Sequence, residues 1–543
     1  MKILFTFLLA TLSYSLLAQC NSTAPKILVL GDSWAFFSWQ GNSYNENCNR
    51  FGLSDVEALS NSTLSVNGTK ASNYFTDAPR VQELRNVLNN NPSIEYIHLS
   101  LGGNDLLGDY HTSNTSTQNN QDRQELMEDL KAGIDTILSI RPNVKILIAG
   151  YDYPNFEETI LNFPVPSQHP FYDKWNNMGQ PTATQLNQGL IDIANLFIDS
   201  CNAWNNVSFV NNLGLMQNTY GQPTNLTVAP GGSYAAGSLT VPQGLPNYPS
   251  PVNSLQFNGL DSFHISDSGF EHFIKRHFKE YYWNALRNAD ATITSTDTSL
   301  NGSVSYYLAT SDSLSIGKTE GNEVHGILSF NTTNLDQSQN IEKASIFVQR
   351  ENLIGDNLIE SNLTLEIKSD YFGSTIQLET NDFSDNADAS ATACTYGTVT
   401  QNGSWMRIDI PYDLLPYINK TGTTQFRLKY NDAAADNYIS LNNNTNNQAF
   451  LDVNYGGFSS IEKTNNSTFS IYPNPTKEIV HISNSELIQK VSVQNLEGKI
   501  IQTKTNINSF ETTLSLALIS QGIYLIETTL VSGKIVNRKI IVE

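Results

Sequence analysis

Basic residues are few in this chain, cysteines fewer, and long apolar runs almost absent. Lysine and arginine total 31 against 52 aspartates and glutamates, a net charge of -21. Such a surface repels phosphate backbones and anionic lipid, and no cationic patch offsets it, so nucleic-acid binding is excluded. Only 4 cysteines occur in 543 residues. None forms a CxxC pair or a His/Cys cluster at ligand spacing, so neither a metal site nor a cofactor is expected. The one apolar run, "MKILFTFLLATLSYSLLAQC", is too short to span a bilayer, and no transmembrane segment is expected. It reads as a secretory signal peptide over 1–18, with cleavage after Ala18. Cys20 raises a lipoprotein alternative, which Gln19 fits poorly. Export permits disulfides, and Cys48–Cys201 is the expected pair.

What is present is a core-forming composition, 39% hydrophobic and 15% charged, in a chain long enough for several domains. Over 25–287 apolar runs ("KILVLG", "EYIHLSLGG", "VKILIAGYDY", "VSFVNNLGL") alternate with stretches of helical spacing such as "DRQELMEDLKAGIDTILSI". That alternation implies an α/β fold, a parallel sheet covered on both faces. Over 289–457 the helical signal stops, and short alternating runs between Asn/Asp/Gly turns imply a β-sandwich. A polar linker, 458–468, leads to a last small β unit over 469–543.

In such an α/β sheet, ligands bind beyond the carboxyl ends of the strands. Ser33 stands there, after "KILVLGD". A serine at a strand-to-helix junction is ordinarily a cap, so its partners decide. Serine hydrolysis needs a nucleophile, a base, an acid to orient the base, and donors for the oxyanion. Asn104 in "LSLGGNDLLG" can donate from its amide, and Gly68 in "VNGTKAS" lets a backbone N–H approach a substrate oxygen. "NGLDSFHISDSGF" offers Asp261 and His264, three apart and so on one side of a helical turn. His98, His111, His169, His272 and His277 compete as bases, but none has an aspartate three residues before it.

Gly31-Asp32-Ser33, Gly68, Gly103-x-Asp105 around Asn104, and Asp261-x-x-His264 follow the order of the four blocks of SGNH (GDSL-type) hydrolases. The resemblance covers about 26–287 and implies a three-layer α/β/α sandwich. It makes Ser33 the nucleophile, His264 the base and Asp261 its orienting acid. The oxyanion hole would be Ser33 N–H, Gly68 N–H and the Asn104 amide. Trp34 replaces the family's usual leucine, and the block around Gly68 is weakly marked. Trp34, Tyr151 and Tyr153 are expected to touch substrate. The long Gly/Pro-rich stretch 220–254 is expected to be a lid or binding loop.

The middle region ("ADATITSTDTSLNGS", "HGILSFNTTNL", "IEKASIFVQR", "AFLDVNYG") resembles the DNRLRE-type β-sandwich, itself similar to carbohydrate-binding modules, with a jelly-roll-like fold. Its alternative is a spacer that binds nothing. "FSIYPNPTKEIVHIS", "VSVQNLEGKII" and "LISQGIYLIETTLVSGKIVNRKIIVE" resemble the type A C-terminal sorting domain of the type IX secretion system. That implies a Bacteroidota-like host and a tail read by the secretion machinery, with Lys534, Arg538 and Lys539 as basic positions a receptor could recognise. The product would be secreted or attached to the cell surface.

The sequence thus predicts a secreted serine esterase acting on short acyl or carbohydrate-linked acetyl esters, with an ester substrate, a polysaccharide and the type IX machinery as partners. A lipase or lysophospholipase on the same site is the alternative within enzymes. A glycan-binding surface adhesin with a silent hydrolase fold is the alternative outside them.

Overall fold

Five apolar runs become one parallel sheet. Strand β1 (Ala24–Gly31) pairs with β2 (Val56–Leu59) on one side and β3 (Tyr96–Ser100) on the other. Then come β4 (Lys145–Ala149) and β5 (Val207–Val210), giving the order β2-β1-β3-β4-β5. Strand β3 is buried along its whole length, β1 from Ile27 onward and β4 from Ile146 onward, which requires helices on both faces. The principal ones are α1 (Ser33–Gln40), α2 (Ser43–Arg50), α3 (Ala78–Asn90), α4 (Gly103–Asp109), α5 (Ser116–Ile140), α6 (Ala183–Ala203) and α7 (Asp267–His277). Helices α5 and α6 each start at a capping box, Thr115/Gln118 and Thr182/Gln185, which satisfies amides the first turn leaves unpaired. The result is a three-layer α/β/α sandwich around a five-stranded parallel sheet.

This computed structural model describes residues 20, 22–221, 244–295, 297–355, 363–397, 401–430, 437–456, 470–495, 499–517, 519–531 and 535–542. The expected signal peptide, the linker 458–468, Lys534 and most of the stretch 220–254 lie outside them.

The last α-helix ends at Asn288, which takes a left-handed φ of 44°, and antiparallel strands follow. Eight of them close into a ring. Trp405–Asp409 pairs with Ala389–Tyr396, then follow Leu363–Ser369, Thr423–Tyr430, Asn322–Asn331, Leu314–Thr319, Tyr438–Leu441 and Asn340–Ile354, which returns to Trp405–Asp409. The 15-residue strand Asn340–Ile354 makes the closure. It pairs with one neighbour through Ser345–Gln349 and with another through Arg350–Ile354.

The border near 288 is a change of fold class inside one compact unit, Met1–Gln337 with Ile341–Asn454. Arg407 of the sandwich grips Asp55 of the α/β part through both terminal guanidinium nitrogens, at 3.0 and 2.8 Å. Arg287 reaches Asp452 at 2.6 and 3.2 Å. Between these pairs Trp283 meets Trp405 at 4.9 Å and Phe450 at 5.6 Å, ring centre to centre. A disulfide, Cys20–Cys394, crosses the same border. It corrects the expected Cys48–Cys201 pair, whose members are free thiols. Burial pushes the Cys48 thiol well up and that of Cys201 to about 12, so both stay protonated and unreactive. The bond also engages the Cys20 sulfur that lipidation would need.

The second unit holds the C-terminal strands. Ile479–Gln494 pairs with Ser470–Tyr472 and Ser509–Ser515 through its first half, and with Ile500–Lys504 and Gly522–Leu530 through its second; Ile535–Val542 adds to Gly522–Leu530. Register shifts after Ser483 and Ile488 mark the change of partner, and Val480, Ile482, Val491, Val493, Leu514, Ile526 and Ile540 are buried in the small core.

Candidate active site

Strand β1 lies where the strand order reverses, with β2 on one side and β3 on the other. Connections leave in opposite directions there and open a crevice at the strand tips. The tips approach closely: a Cβ on Gly31, at φ +145°, would stand 2.0 Å from the Ser100 carbonyl oxygen. Asp32 then caps α1, its Oδ1 accepting from Trp34 N–H at 3.0 Å. Ser33 is the first helical residue, so its own N–H belongs to the unpaired donors of the helix start.

His264 and Asp261 come from the loop before α7. Two backbone bonds fold that loop on itself, Gln256 N–H to the His264 carbonyl at 3.0 Å and Ser266 N–H to that of Ser254 at 2.8 Å. Asp261 Oδ1 accepts from the N–H groups of Phe263 and His264, each at 2.9 Å. Its Oδ2 accepts from His264 Nδ1 at 2.7 Å. A carboxylate has no proton to give, so Nδ1 carries the hydrogen and Nε2 the lone pair. The Ser33 hydroxyl meets that Nε2 at 2.7 Å. Phe37 and Phe263 flank the imidazole at 5.0 and 5.2 Å between ring centres.

Asn104, just after β3, directs its amide nitrogen at Asp32 Oδ2 (3.2 Å) and at the Thr69 carbonyl (3.3 Å). The loop carrying Gly68 therefore lies beside Asn104. Asp105 anchors it further, both carboxylate oxygens accepting from Ala71 N–H at 3.2 and 3.0 Å. Gly68 itself is exposed at φ +73°, a conformation that favours glycine. Ser33, His264, Asp261 and Asn104 are brought together, with the Gly68 loop at their edge.

Two carboxylates here sit in unusual surroundings. Burial pushes Asp32 up to about 6, against the Tyr151 hydroxyl and Trp34 N–H that favour its charged form. Burial likewise pushes Asp105 up to about 6. Tyr151 O–H donates to Asp32 Oδ2 at 2.7 Å, the same oxygen that Asn104 approaches.

The expected substrate contacts are corrected. Trp34 is 1% exposed and meets Tyr151, Phe263, Phe270 and Phe273 edge-on at 5.2 to 5.8 Å. Tyr151 and Tyr153 are buried too. Once Ser33 opens a helix, the next residue turns toward the sheet, and an indole there is core. The Tyr151 hydroxyl is turned to Asp32. Among the competing histidines, His98 and His277 are buried 5.2 Å apart, and burial pushes His98 down to about 3, leaving it neutral. Among the described residues no group of three or more His, Cys, Asp or Glu could hold a metal, and no helix is long and apolar enough to cross a membrane.

Residues 470–543 match the secretion system C-terminal sorting domain. The sorting domain marks the chain for export through the type IX machinery, to secretion or attachment at the cell surface. No curated protein matches the chain. Solved structures similar to it include a family 3 carbohydrate esterase from Clostridium thermocellum (16% identity, TM-score 0.25, 48% of this chain and 98% of that one). A lipase from a goat rumen metagenome aligns at 12% identity and TM-score 0.27, over 48% and 98%. An aryl esterase of M. smegmatis aligns at 14% and 0.26, over 47% and 99%.

Proposed function

We propose that this chain is an exported serine esterase that cleaves carboxylic esters through an acyl-enzyme, its catalytic part spanning 25–287 behind a signal peptide. The observation that carries the reading is the unbroken relay from Ser33 Oγ through the His264 ring to Asp261, with 2.7 Å at each step. His264 Nε2 takes the hydroxyl proton as Ser33 Oγ attacks the ester carbonyl. Asp261 holds Nδ1–H and stabilises the imidazolium that forms. Ser33 N–H, Gly68 N–H and the Asn104 amide receive the negative oxygen. His264 then returns its proton to the leaving alcohol, and water, activated by the same nitrogen, releases the acid from Ser33. A donor lost from an oxyanion hole lowers kcat by about 10²–10³, the effect expected for Asn104→Ala. Short acyl and carbohydrate-linked acetyl esters are the proposed substrates, and the sandwich is proposed to hold the polysaccharide that carries them.

Reaction with a fluorophosphonate probe and turnover of p-nitrophenyl acetate test the reading. Both should vanish in Ser33→Ala while the melting curve stays in place. Turnover retained by that variant would refute it.

A further inference from the structure

Four residues before Asp261, the backbone adopts a conformation that its sequence disfavours. Phe257 (φ 51°, ψ 33°) and Asn258 (φ 54°, ψ 47°) are both left-handed, and Gly259 follows at φ +88°. Glycine accepts this region and asparagine tolerates it, but a bulky phenylalanine is an outlier there. No burial offsets the strain, because Phe257 is 77% exposed.

The turn beneath the ring is held tightly. A Cβ on Gly259 would lie 2.8 Å from Val252 Cγ1 and 3.1 Å from Thr159 Cγ2. His169 Nε2–H donates to the Gly259 carbonyl at 3.0 Å, and the hydroxyls of Thr159 and Ser262 meet at 2.8 Å. Strain that the surroundings over-determine gathers at functional positions. This one adjoins the reacting groups: Gln256 N–H bonds the His264 carbonyl, Phe257 is the next residue, and Leu260 precedes Asp261.

We propose that Phe257 and Leu260 form the ledge on which the apolar group of the substrate ester rests, and that this ledge sets which esters the site accepts. The assignment builds on the serine-esterase reading above and departs from its carbohydrate-linked arm, since it places an alkyl or aryl group beside the reacting residues. Leu260 is exposed, as are Leu161 and Val165 on the segment that Thr159 and His169 tie to this turn. None of these side chains carries a polar atom. A sugar needs hydroxyl partners beside its stacking ring, whereas an alkyl or aryl group needs only this surface. The apolar group could belong to the acyl chain or to the alcohol, and kinetics separate the two.

The test compares the full chain with Phe257→Gly, which removes the ring and relieves the left-handed strain, and with Phe257→Asn, which keeps a residue suited to that φ. One arm lengthens the acyl group on p-nitrophenol from acetate to octanoate. The other keeps acetate and enlarges the alcohol from ethyl to naphthyl. In one arm, kcat/KM on the largest member relative to the smallest should fall at least tenfold in both variants, through KM, with melting temperature held or raised. A ratio unchanged in both arms, in enzyme that still reacts with a fluorophosphonate, overturns the ledge alone. Wild-type protein that neither labels nor turns over any ester overturns the esterase reading and the ledge with it.

Discussion

Replacing Asp32 by asparagine should make the protein more stable and less active, and the gain should depend on pH. Asp32 is wholly buried, and its pKa stands at about 6 against an ordinary 3.8. A carboxyl that protonates more readily in the folded chain favours folding when neutral. That contribution is present below about pH 4 and is lost as pH rises to about 6. At 1.36 kcal/mol per pH unit, the ionised group costs the fold about 3 kcal/mol at pH 7.5, roughly half that at pH 5, and under ~1 kcal/mol at pH 4. Asparagine removes the charge but brings two amide hydrogens. It cannot accept from Trp34 N–H, Tyr151 O–H and the Asn104 amide together, and the bond lost is worth about 1 kcal/mol. A net gain of about 1–2 kcal/mol at pH 7.5 follows, shrinking to nothing or reversing by pH 4. Urea denaturation of both proteins at pH 7.5, 5 and 4 measures it. Esterase activity should fall over the same substitution, because Asn104 loses the anion that holds it. A variant destabilised equally at all three pH values would refute the reasoning, since the charge would then cost the fold nothing.

Tyr151→Phe removes a bond that favours ionised Asp32; an acid limb of kcat set by Asp32 should therefore move to higher pH, as a pH–rate profile would report. Arg407→Ala strands Asp55 and Asp409 at a buried border and should cost about 3–5 kcal/mol, with the α/β part and the sandwich still unfolding in one calorimetric transition. Peptide mapping without reductant should recover Cys20 joined to Cys394, and Cys20→Ser should lower stability by up to about 5 kcal/mol for so long a loop. Removal of 470–543 should leave the protein in the periplasm, as cell fractionation would detect.

The α/β alternation and the strand-tip location of Ser33 were legible because both follow from local periodicity and the general rule for parallel sheets. Asp261 and His264 were legible from their spacing, although the turn that joins them is not helical: Asp261 Oδ1 accepts from the N–H groups of Phe263 and His264 and so brings the two side chains together. Trp34 misled because exposure was inferred from adjacency to the nucleophile, while the helical turn starting at Ser33 carries the next side chain inward. The cysteine pairing was hidden by distance, since partners 374 residues apart leave no local trace and Cys20 stands against the expected signal peptide. The single unit formed by the α/β part and the sandwich rests on contacts such as Asp55–Arg407, between segments whose own patterns describe separate domains. Phe257 offered only the Asn-Gly pair after it, which announces a turn and says nothing of the residue before.

The disulfide gives the molecule a direction in time. Synthesis and export begin at the N-terminus, so Cys20 exists long before Cys394 does. Strand β1 can join its sheet early, with the Ser33 turn behind it, yet the clasp at its head waits for most of the sandwich to arrive. The bond cannot close before Cys394 has been made, 374 residues after Cys20, so its presence records that most of the sandwich was delivered.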